Sequence, residues 1–215
     1  MRKHKVMKLG FLMFYLFAFS ATHMCGQGVI ELKNPSFEAD PPAAGFTPTG
    51  WINLGAEDQS PPDIQPGFFQ MDMPAQEGNT YLGLSVRENN TWEGVGQRLT
   101  DFLKQGSEYT FSVWMTRSND FVSAAPFGGQ GYELKRFNAP TILKIWGYNT
   151  QTKQEELLAE SQPVGHSKWV HFEFTLKPSL GDYDEIDLMA YYAHGFELHN
   201  GNLFLDNCSA IVKVH

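Results

Sequence analysis

Short runs in which apolar and polar residues alternate make up most of this chain, and helical spacing of apolar residues is scarce. Residues 81–87, for example, place Leu82, Leu84 and Val86 on one side. Such alternation predicts half-buried strands. We predict nine or ten strands, at residues 29–33, 51–54, 81–87, 94–99, 108–117, 141–148, 154–160, 169–176, 185–193 and 202–213, of which 154–160 could instead be a short helix. This pattern predicts a single all-β domain, a two-sheet β-sandwich and most simply a jelly roll.

Two long passages interrupt the strand pattern. Residues 40–76 are rich in proline, which excludes a central strand and a helix, and residues 118–138 are rich in Gly and Phe. Loops of this length inside a compact domain are usually functional or disordered. We expect these insertions either to wall a groove or to cover a sheet face.

The N-terminus reads as a targeting segment. Residues 1–26 combine four basic residues with an apolar run over 10–21, which is shorter than the ~20 residues needed to span a bilayer. We therefore predict a signal peptide over 1–26 and a mature domain over 27–215, secreted or held at the cell surface or in the periplasm, with no transmembrane span after cleavage. Cys25 leaves open a lipoprotein signal and a lipid anchor in the outer membrane.

Charge and cysteine content narrow the function classes. All 24 Asp and Glu follow the signal, whereas four of the 16 Lys and Arg lie within it, so the mature chain is strongly acidic. Nucleic acid and anionic membrane surfaces are thereby disfavoured as partners. Cys208 is the one cysteine certain to survive processing, so the fold must depend on its core, which 17 Phe, eight Tyr and five Trp can supply.

Large aromatic residues fall on the strand positions opposite the aliphatic ones, since residues i and i+2 share a face. There they alternate with charged and hydroxyl groups. Flat rings beside hydrogen-bonding groups suit a sugar, whose C–H face stacks while its hydroxyls pair. The candidate ligand-binding residues are Trp114, Trp146, Tyr148 and Tyr191 for stacking, with Arg87, Lys144 and Asp187 for hydroxyl groups.

The same aromatic residues could instead serve the fold. Cross-strand aromatic pairs stabilise sheets by roughly 0.2–1 kcal/mol each, and the rings could form a satellite core under the insertions. For Trp51 and Trp169, each at the start of a strand, we predict a structural role.

Signatures of enzymes are weak. His194 and His199 are five residues apart in a Gly- and Asn-rich connection, unlike the helical i, i+4 spacing of zinc ligands, so a solvated loop is predicted. Cys208, inside a predicted strand, reads as a small buried hydrophobe. Two carboxylates at ~5–9.5 Å would suffice for glycoside hydrolysis, and the acidic residues of such a sandwich could supply them. A glycoside-active enzyme therefore stays as a second alternative.

Several motifs together resemble a known family. They are Leu32-x-Asn34-Pro35-Ser36-Phe37-Glu38 with Gly50-Trp51, then Gly94-Val95-Gly96-Gln97-x-Leu99, Leu103-x-x-Gly106-x-x-Tyr109-x-Phe111-Ser112, Trp169-x-x-Phe172-x-Phe174 and Leu205-Asp206-Asn207. In this order they resemble the galactose-binding-like jelly-roll carbohydrate-binding modules found beside cellulases and xylanases. The resemblance spans nearly the whole mature chain and implies that fold.

The resemblance also implies a structural metal. Family members often hold calcium between the Asn-x-x-Phe-Glu segment and an Asp of the final strand, which here implies Glu38 and Asp206 as side-chain ligands, with carbonyl oxygens completing the shell. Two carboxylates brought together would repel unless a cation or donors lay between them. The alternative is that loop amides bind Glu38.

These observations lead to one expected function and one rival from a different class. We expect non-catalytic binding of a poly- or oligosaccharide by an exported β-sandwich module, through an aromatic sheet face or a loop groove. The alternative is a structural or protein-interaction domain of the cell envelope, with the aromatic face buried against a protein partner or its own loops.

Overall fold

The structure is a computed structural model that describes residues 28–55, 61–126 and 132–214. The predicted signal peptide and Cys25 lie outside these residues. Within the described part of the chain there are strands and loops but no helix, and hence no helix long and apolar enough to cross a membrane.

Two antiparallel sheets form the sandwich that the alternation predicted. The eight-stranded sheet consists of β1 (Val29–Ile30), β3 (Asp63–Gln65), β4 (Tyr81–Arg87), β5 (Thr91–Trp92), β7 (Tyr109–Thr116), β12 (Val170–Leu176), β14 (Gly201–Asp206) and β15 (Ile211–Lys213). The five-stranded sheet has the order β11 (Glu155–Glu160), β10 (Thr141–Tyr148), β13 (Tyr183–Tyr192), β6 (Gly94–Leu103) and β2 (Ile52–Asn53). The all-β jelly-roll prediction is confirmed, and 154–160 is a strand rather than a helix.

The main core lies between the two sheets. Leu82, Leu84 and Val86 of β4 are almost completely buried, as are Leu143 of β10 and Leu188 of β13 from the opposite sheet. Burying one such side chain contributes about 1.5–3 kcal/mol. The positions opposite them on each strand therefore point away from the core, and these outward faces carry the remaining aromatic residues.

The insertions cover part of the outer face of the eight-stranded sheet. Phe204 and Tyr81 from the sheet pack there with Met71 from one insertion and with Phe121 and Phe137 from the other. In the second insertion, β8 (Val122–Pro126) and β9 (Tyr132–Arg136) form a hairpin. We call these five buried residues the satellite core. It shows that the described parts of both insertions pack as folded parts of the domain.

The predicted last strand is interrupted. After β14 the chain passes through Asn207 at a φ of 48° and resumes pairing only in β15. Strand β7 pairs with both pieces, through Trp114 opposite Asp206 and Thr110 opposite Val212. Left-handed backbone is tolerated by Asn better than by most residues, which explains why the strand can break at this position.

The two ends of the domain meet, as the paired motifs at Asn34 and Asp206 predicted. The Cys208 amide donates a hydrogen bond to the Pro35 carbonyl at 3.0 Å. The Asn34 carboxamide oxygen accepts from the Glu38 amide at 2.8 Å and closes a tight turn. Phe37 is fully buried against Trp51, with ring centroids 5.0 Å apart. The opening motif therefore anchors the first strand to the last.

Candidate functional site

Five of the seven predicted ligand-binding side chains lie together on the outer face of the five-stranded sheet. Lys144, Trp146 and Tyr148 alternate along β10, and Asp187 and Tyr191 lie on the neighbouring β13. Trp146 is directly opposite Asp187 in the register of the two strands. All five are partly accessible to solvent. We call them the platform.

The structure does not bring Trp114 and Arg87 to the platform. The prediction that all seven residues share one binding surface is therefore wrong. Both belong to strands of the eight-stranded sheet, on the opposite side of the sandwich. Trp114 packs against His171 with centroids 5.2 Å apart. Arg87 is 8% exposed and forms an ion pair with Glu93. Alternation assigns a residue to one face of its own strand, but it does not say to which sheet that strand belongs.

Two glycines of β6 shape the centre of the platform. A Cβ on Gly96 would lie 2.6 Å from Asp187 Oδ1, and a Cβ on Gly94 would lie 2.7 Å from Met189 Cγ. The side chains of β13 therefore lie across β6, in space that any other residue would fill. Alternate glycines inside a strand often mark such close approach. That signal was present in the sequence, where the two glycines entered the resemblance without a role.

One end of the platform is extended by Trp92, which sequence reasoning missed. Trp92 lies on the two-residue strand β5 of the other sheet, and its ring packs on Tyr191 with centroids 4.9 Å apart and planes at 30°. Lys144 Nζ lies 4.4 Å from the centroid of the Tyr191 ring and 3.6 Å from Glu160 Oε2. Tyr191 is thus held between an indole and a cation, an arrangement that keeps its ring in place.

Two polar atoms at the centre of the platform have no hydrogen-bond partner within the described part of the chain. Trp146 Nε1, a donor, and Asp187 Oδ1, an acceptor, are both shielded from solvent. An unsatisfied buried polar group costs about 1–3 kcal/mol, and such groups in native structures call for an explanation. A ligand hydroxyl has the complementary chemistry, since it can accept from an N–H and donate to a carboxylate oxygen, but it would reach these atoms only if the side chains moved to expose them.

The centre of the platform is acidic. Burial, and then the carboxylates of Glu185 and Glu155, raise the pKa of Asp187 to about 7. Glu185 is itself paired with Arg98, with Nε 2.6 Å from Oε2. Neighbouring negative charges favour the protonated form of a carboxyl group, so Asp187 can donate as well as accept a hydrogen bond near neutral pH.

We expect this shift to make stability depend on pH. The pKa of Asp187 is raised above the value of about 3.9 for an unfolded aspartate, so its contribution to stability is present at low pH and is lost as pH rises through about 7. Asp63 and Asp206, with pKa values raised to about 7 and about 6, act in the same direction. The melting temperature should therefore fall from about pH 4 to about pH 7 and level off above pH 7, and Asp187→Asn should reduce that fall.

Thermal melts across this pH range test the prediction. Asp101→Asn, at an exposed position of β6, is the matched control and should keep the wild-type slope. Identical slopes for the wild type and Asp187→Asn would show that Asp187 does not titrate as described.

The predicted metal ligands meet at one loop. Glu38 Oε1 accepts hydrogen bonds from the amides of Asn79 and Thr80, at 2.9 and 3.0 Å. Asp206 Oδ2 accepts from the amides of Gln76 and Glu77, at 2.7 and 3.0 Å. Burial raises the pKa of Asp206 to about 6, and the charge of Glu38 adds to the shift. The two carboxylates are therefore close enough to repel, and loop amides offset part of that repulsion.

The donor set at this loop fits a hard cation in part. An ionised carboxylate has about four lone-pair sites, so Glu38 and Asp206 retain acceptor capacity beyond these amides. No cluster of three or more His, Cys, Asp or Glu side chains suited to a metal occurs among residues 28–55, 61–126 and 132–214. A cation here would therefore need backbone carbonyl oxygens as well.

The remaining sequence-based expectations concern structure. Trp51 is 7% exposed and its indole donates to the Asn34 carbonyl at 3.0 Å, and the Trp169 indole donates to the Pro74 carbonyl at 3.0 Å, so both have the structural role predicted for them. Residues 194–199 form an exposed loop. Cys208 is buried with a free thiol, and burial raises its pKa.

The fold is a two-sheet β-sandwich that carries a face of aromatic and charged side chains on its five-stranded sheet. The chain belongs to the family Carbohydrate binding domain (CBM_4_9), whose model matches residues 32–193. This confirms the resemblance noted in the sequence. No curated protein matches the chain significantly.

Solved structures share the fold at low sequence identity. The CBM22-1 xylan-binding domain of Xyn10C from Paenibacillus barcinonensis is 19% identical, with a TM-score of 0.51, and the match covers 87% of this chain and 96% of that domain. A cyclase from Fischerella sp. TAU is 16% identical, with a TM-score of 0.52 over 86% of this chain and 96% of the cyclase. Likeness at this level concerns the fold alone, and that fold is shared by a xylan-binding domain and by a cyclase.

Proposed function

We propose that this protein is an exported, non-catalytic module that binds a poly- or oligosaccharide on the platform. Family membership supports carbohydrate as the class of ligand. The observation that carries the proposal is the placement of Trp146, Tyr148 and Tyr191 on one sheet face, beside the unpartnered Trp146 Nε1 and Asp187 Oδ1. Aromatic rings with a few placed polar groups are the usual composition of a sugar site.

Each platform side chain has a separate part in the proposed binding. Sugar rings stack on Trp146, Tyr148 and Tyr191, while Lys144 donates to ring hydroxyls. Asp187 and the Trp146 indole bind one hydroxyl between them. The strand register supports a chain running along β10, because Tyr148 and Ile142, the residue opposite Tyr191, are six residues apart, which spans about 20 Å at ~3.4 Å per residue.

Membership of a carbohydrate-binding domain family supports a non-catalytic role. Glycosidases separate their two carboxyl groups by about 5–9.5 Å. Asp187 and Glu185 lie two residues apart on β13, and the charge of Glu185 adds to the burial that raises the pKa of Asp187. We expect no turnover of aryl glycosides; hydrolysis that is lost in Asp187→Asn would contradict this part of the proposal.

Affinity electrophoresis of residues 27–215 through gels containing xylan, mixed-linkage β-glucan or galactan tests the function itself. Retention by at least one polysaccharide is the expected result. A folded protein that migrates freely in every gel would instead favour the rival function, an envelope domain whose aromatic face binds another protein.

We also propose a structural calcium ion bound by Glu38 and Asp206. Calcium prefers carboxylate and carbonyl oxygens, and the mutual repulsion of these two groups supports a cation between them. A ligand that binds only the folded state raises its stability, so EDTA should lower the melting temperature and added CaCl₂ should restore it. Glu38→Gln should lose this response, and a midpoint that EDTA leaves unchanged would remove the metal.

The localisation proposal is secretion or retention at the cell surface or in the periplasm, directed by residues 1–26. Cys25 provides for a lipid anchor as the second route. Palmitate labelling of the full chain in a Gram-negative host distinguishes the two routes, because label that is lost in Cys25→Ala supports the anchor, and unlabelled protein in the medium or periplasm supports free export.

A further inference from the structure

A second concave surface lies on the opposite side of the sandwich from the platform. It is a shallow trough of about 590 Å³ on the outer face of the eight-stranded sheet. Its walls come from β7, β12 and the chain between β14 and β15, and its polar lining consists of Thr110, Ser112, Glu173, Thr175 and Ser209. We call these five residues the trough. Its volume falls within the range of about 300–1,000 Å³ that is typical of ligand sites.

The satellite core does not extend over the trough. The buried rings of the insertions pack on Tyr81 and Phe204 of β4 and β14, whereas the trough begins one row beyond Trp114 along β7. Trp114 and His171, opposite each other on β7 and β12, border it with their rings. An aromatic surface therefore adjoins a row of hydroxyl groups, on a part of the sheet that the described insertions leave accessible.

Hydrogen bonds within the protein use the protons of two of the four hydroxyl groups that line the trough. The Ser209 hydroxyl donates to the Ala210 carbonyl at 2.8 Å, and the Thr110 hydroxyl donates to the Val212 carbonyl at 3.4 Å. A hydroxyl has one proton and two lone pairs, so these groups have used their proton and keep acceptor capacity. Ser209 Oγ uses part of that capacity for the Ser112 amide, at 2.8 Å. The exposed carboxylate of Glu173 adds a further acceptor, 3.8 Å from Nδ1 of His171.

This balance selects the chemistry of the ligand. The Ser112 and Thr175 hydroxyls can donate as well as accept, so the surface pairs with a molecule that offers both donors and acceptors, and the negative charge of Glu173 disfavours an anion. A neutral sugar chain offers many O–H donors and an apolar ring face that can stack on Trp114. A uronic acid or a sulfated sugar would bring further acceptors and a like charge.

We propose that the trough is a second carbohydrate site, which binds a neutral oligosaccharide chain along β7 with one sugar ring on Trp114. It is separate from the platform, and it gives the module two ligand-binding faces on opposite sides. Such a module bridges two polysaccharide chains, and simultaneous engagement raises its effective affinity for an insoluble polymer.

Titration calorimetry with hexasaccharides of xylan, cellulose and mixed-linkage β-glucan tests the second site. Thr175→Phe fills the trough on the exposed strand β12, where an aromatic residue is a good strand former. Thr100→Phe, the same change at an exposed position of β6, is the matched control. Trp146→Ala removes the platform ring and isolates the trough. Circular dichroism and melting temperature confirm that each variant is folded.

The proposal predicts two sites per wild-type protein and one in Trp146→Ala. In the Trp146→Ala background, Thr175→Phe should weaken the remaining site, the trough, at least about tenfold. Thr100→Phe in the same background should leave the trough unchanged. A single site that Trp146→Ala removes and Thr175→Phe leaves intact would overturn the trough while sustaining the platform. A single site that Thr175→Phe removes and Trp146→Ala leaves intact would sustain the trough and overturn the platform. Absence of binding to any hexasaccharide would overturn both.

Discussion

Replacing Trp146 by alanine should weaken polysaccharide binding at the platform by about 30-fold. Truncating a central aromatic residue in a binding surface typically costs about 2 kcal/mol or more, and each 1.4 kcal/mol is a factor of about ten. Trp146 lies between Asp187 on one neighbouring strand and Leu157 on the other. The change removes the stacking surface and also the unpartnered indole N–H.

A second substitution separates these two contributions. Trp146→Phe keeps an aromatic ring and loses the indole donor, so its affinity should fall between those of the wild type and Trp146→Ala. Leu134→Ala, in the exposed hairpin of the second insertion, should bind like the wild type. Equal affinity for Trp146→Ala and the wild type at the platform would place the ligand elsewhere.

Replacing Phe121 by alanine should destabilise the domain by about 3–5 kcal/mol, the usual cost of removing a buried Phe side chain. Phe121 is 1% exposed and packs on Phe69, Phe137 and Phe204, with ring centroids 5.2, 5.7 and 6.0 Å away. At about 2–4 °C per kcal/mol for a domain of this size, the melting temperature should fall by roughly 10 °C.

Urea denaturation and thermal melts measure this effect. Leu134→Ala serves again as control, because Leu134 belongs to the same insertion but is 77% exposed, and it should change the free energy of unfolding by less than about 0.5 kcal/mol. Platform binding should be retained by folded Phe121→Ala, since the satellite core lies on the other sheet. A loss smaller than about 1 kcal/mol would mean that the insertions contribute little to the fold.

Much of the fold follows from the sequence because burial imposes a period of two on every strand. Leu82, Leu84 and Val86 point into the core as that period requires, and the family resemblance implied that the segment from Asn34 to Glu38 lies beside Asp206. The hairpin at 122–136 and the break after Asp206 were not predicted. The hairpin lies in a Gly- and Phe-rich insertion without clean alternation, and the break depends on a single residue in left-handed backbone.

The site was predictable only in part, for a different physical reason. Trp114 and Trp146 have the same local pattern, yet they belong to different sheets, because sheet membership is decided by long-range pairing that one strand does not encode. Trp92 was missed because it reaches the end of the platform from β5, a strand of two residues that is too short to show an alternating pattern. Gly94 and Gly96 were visible as alternate glycines, but their purpose depends on the side chains of Asp187 and Met189, which cross from β13.

The indole N–H groups of the five tryptophans offer the most direct test of the platform. In a titration of ¹⁵N-labelled protein with neutral hexasaccharides, the Trp146 indole signal should shift markedly, because Trp146 Nε1 has no partner in the described part of the chain. The indoles of Trp51 and Trp169 already donate to the Asn34 and Pro74 carbonyls and should stay in place. Saturable binding that leaves the Trp146 signal unmoved would contradict carbohydrate binding on the five-stranded sheet.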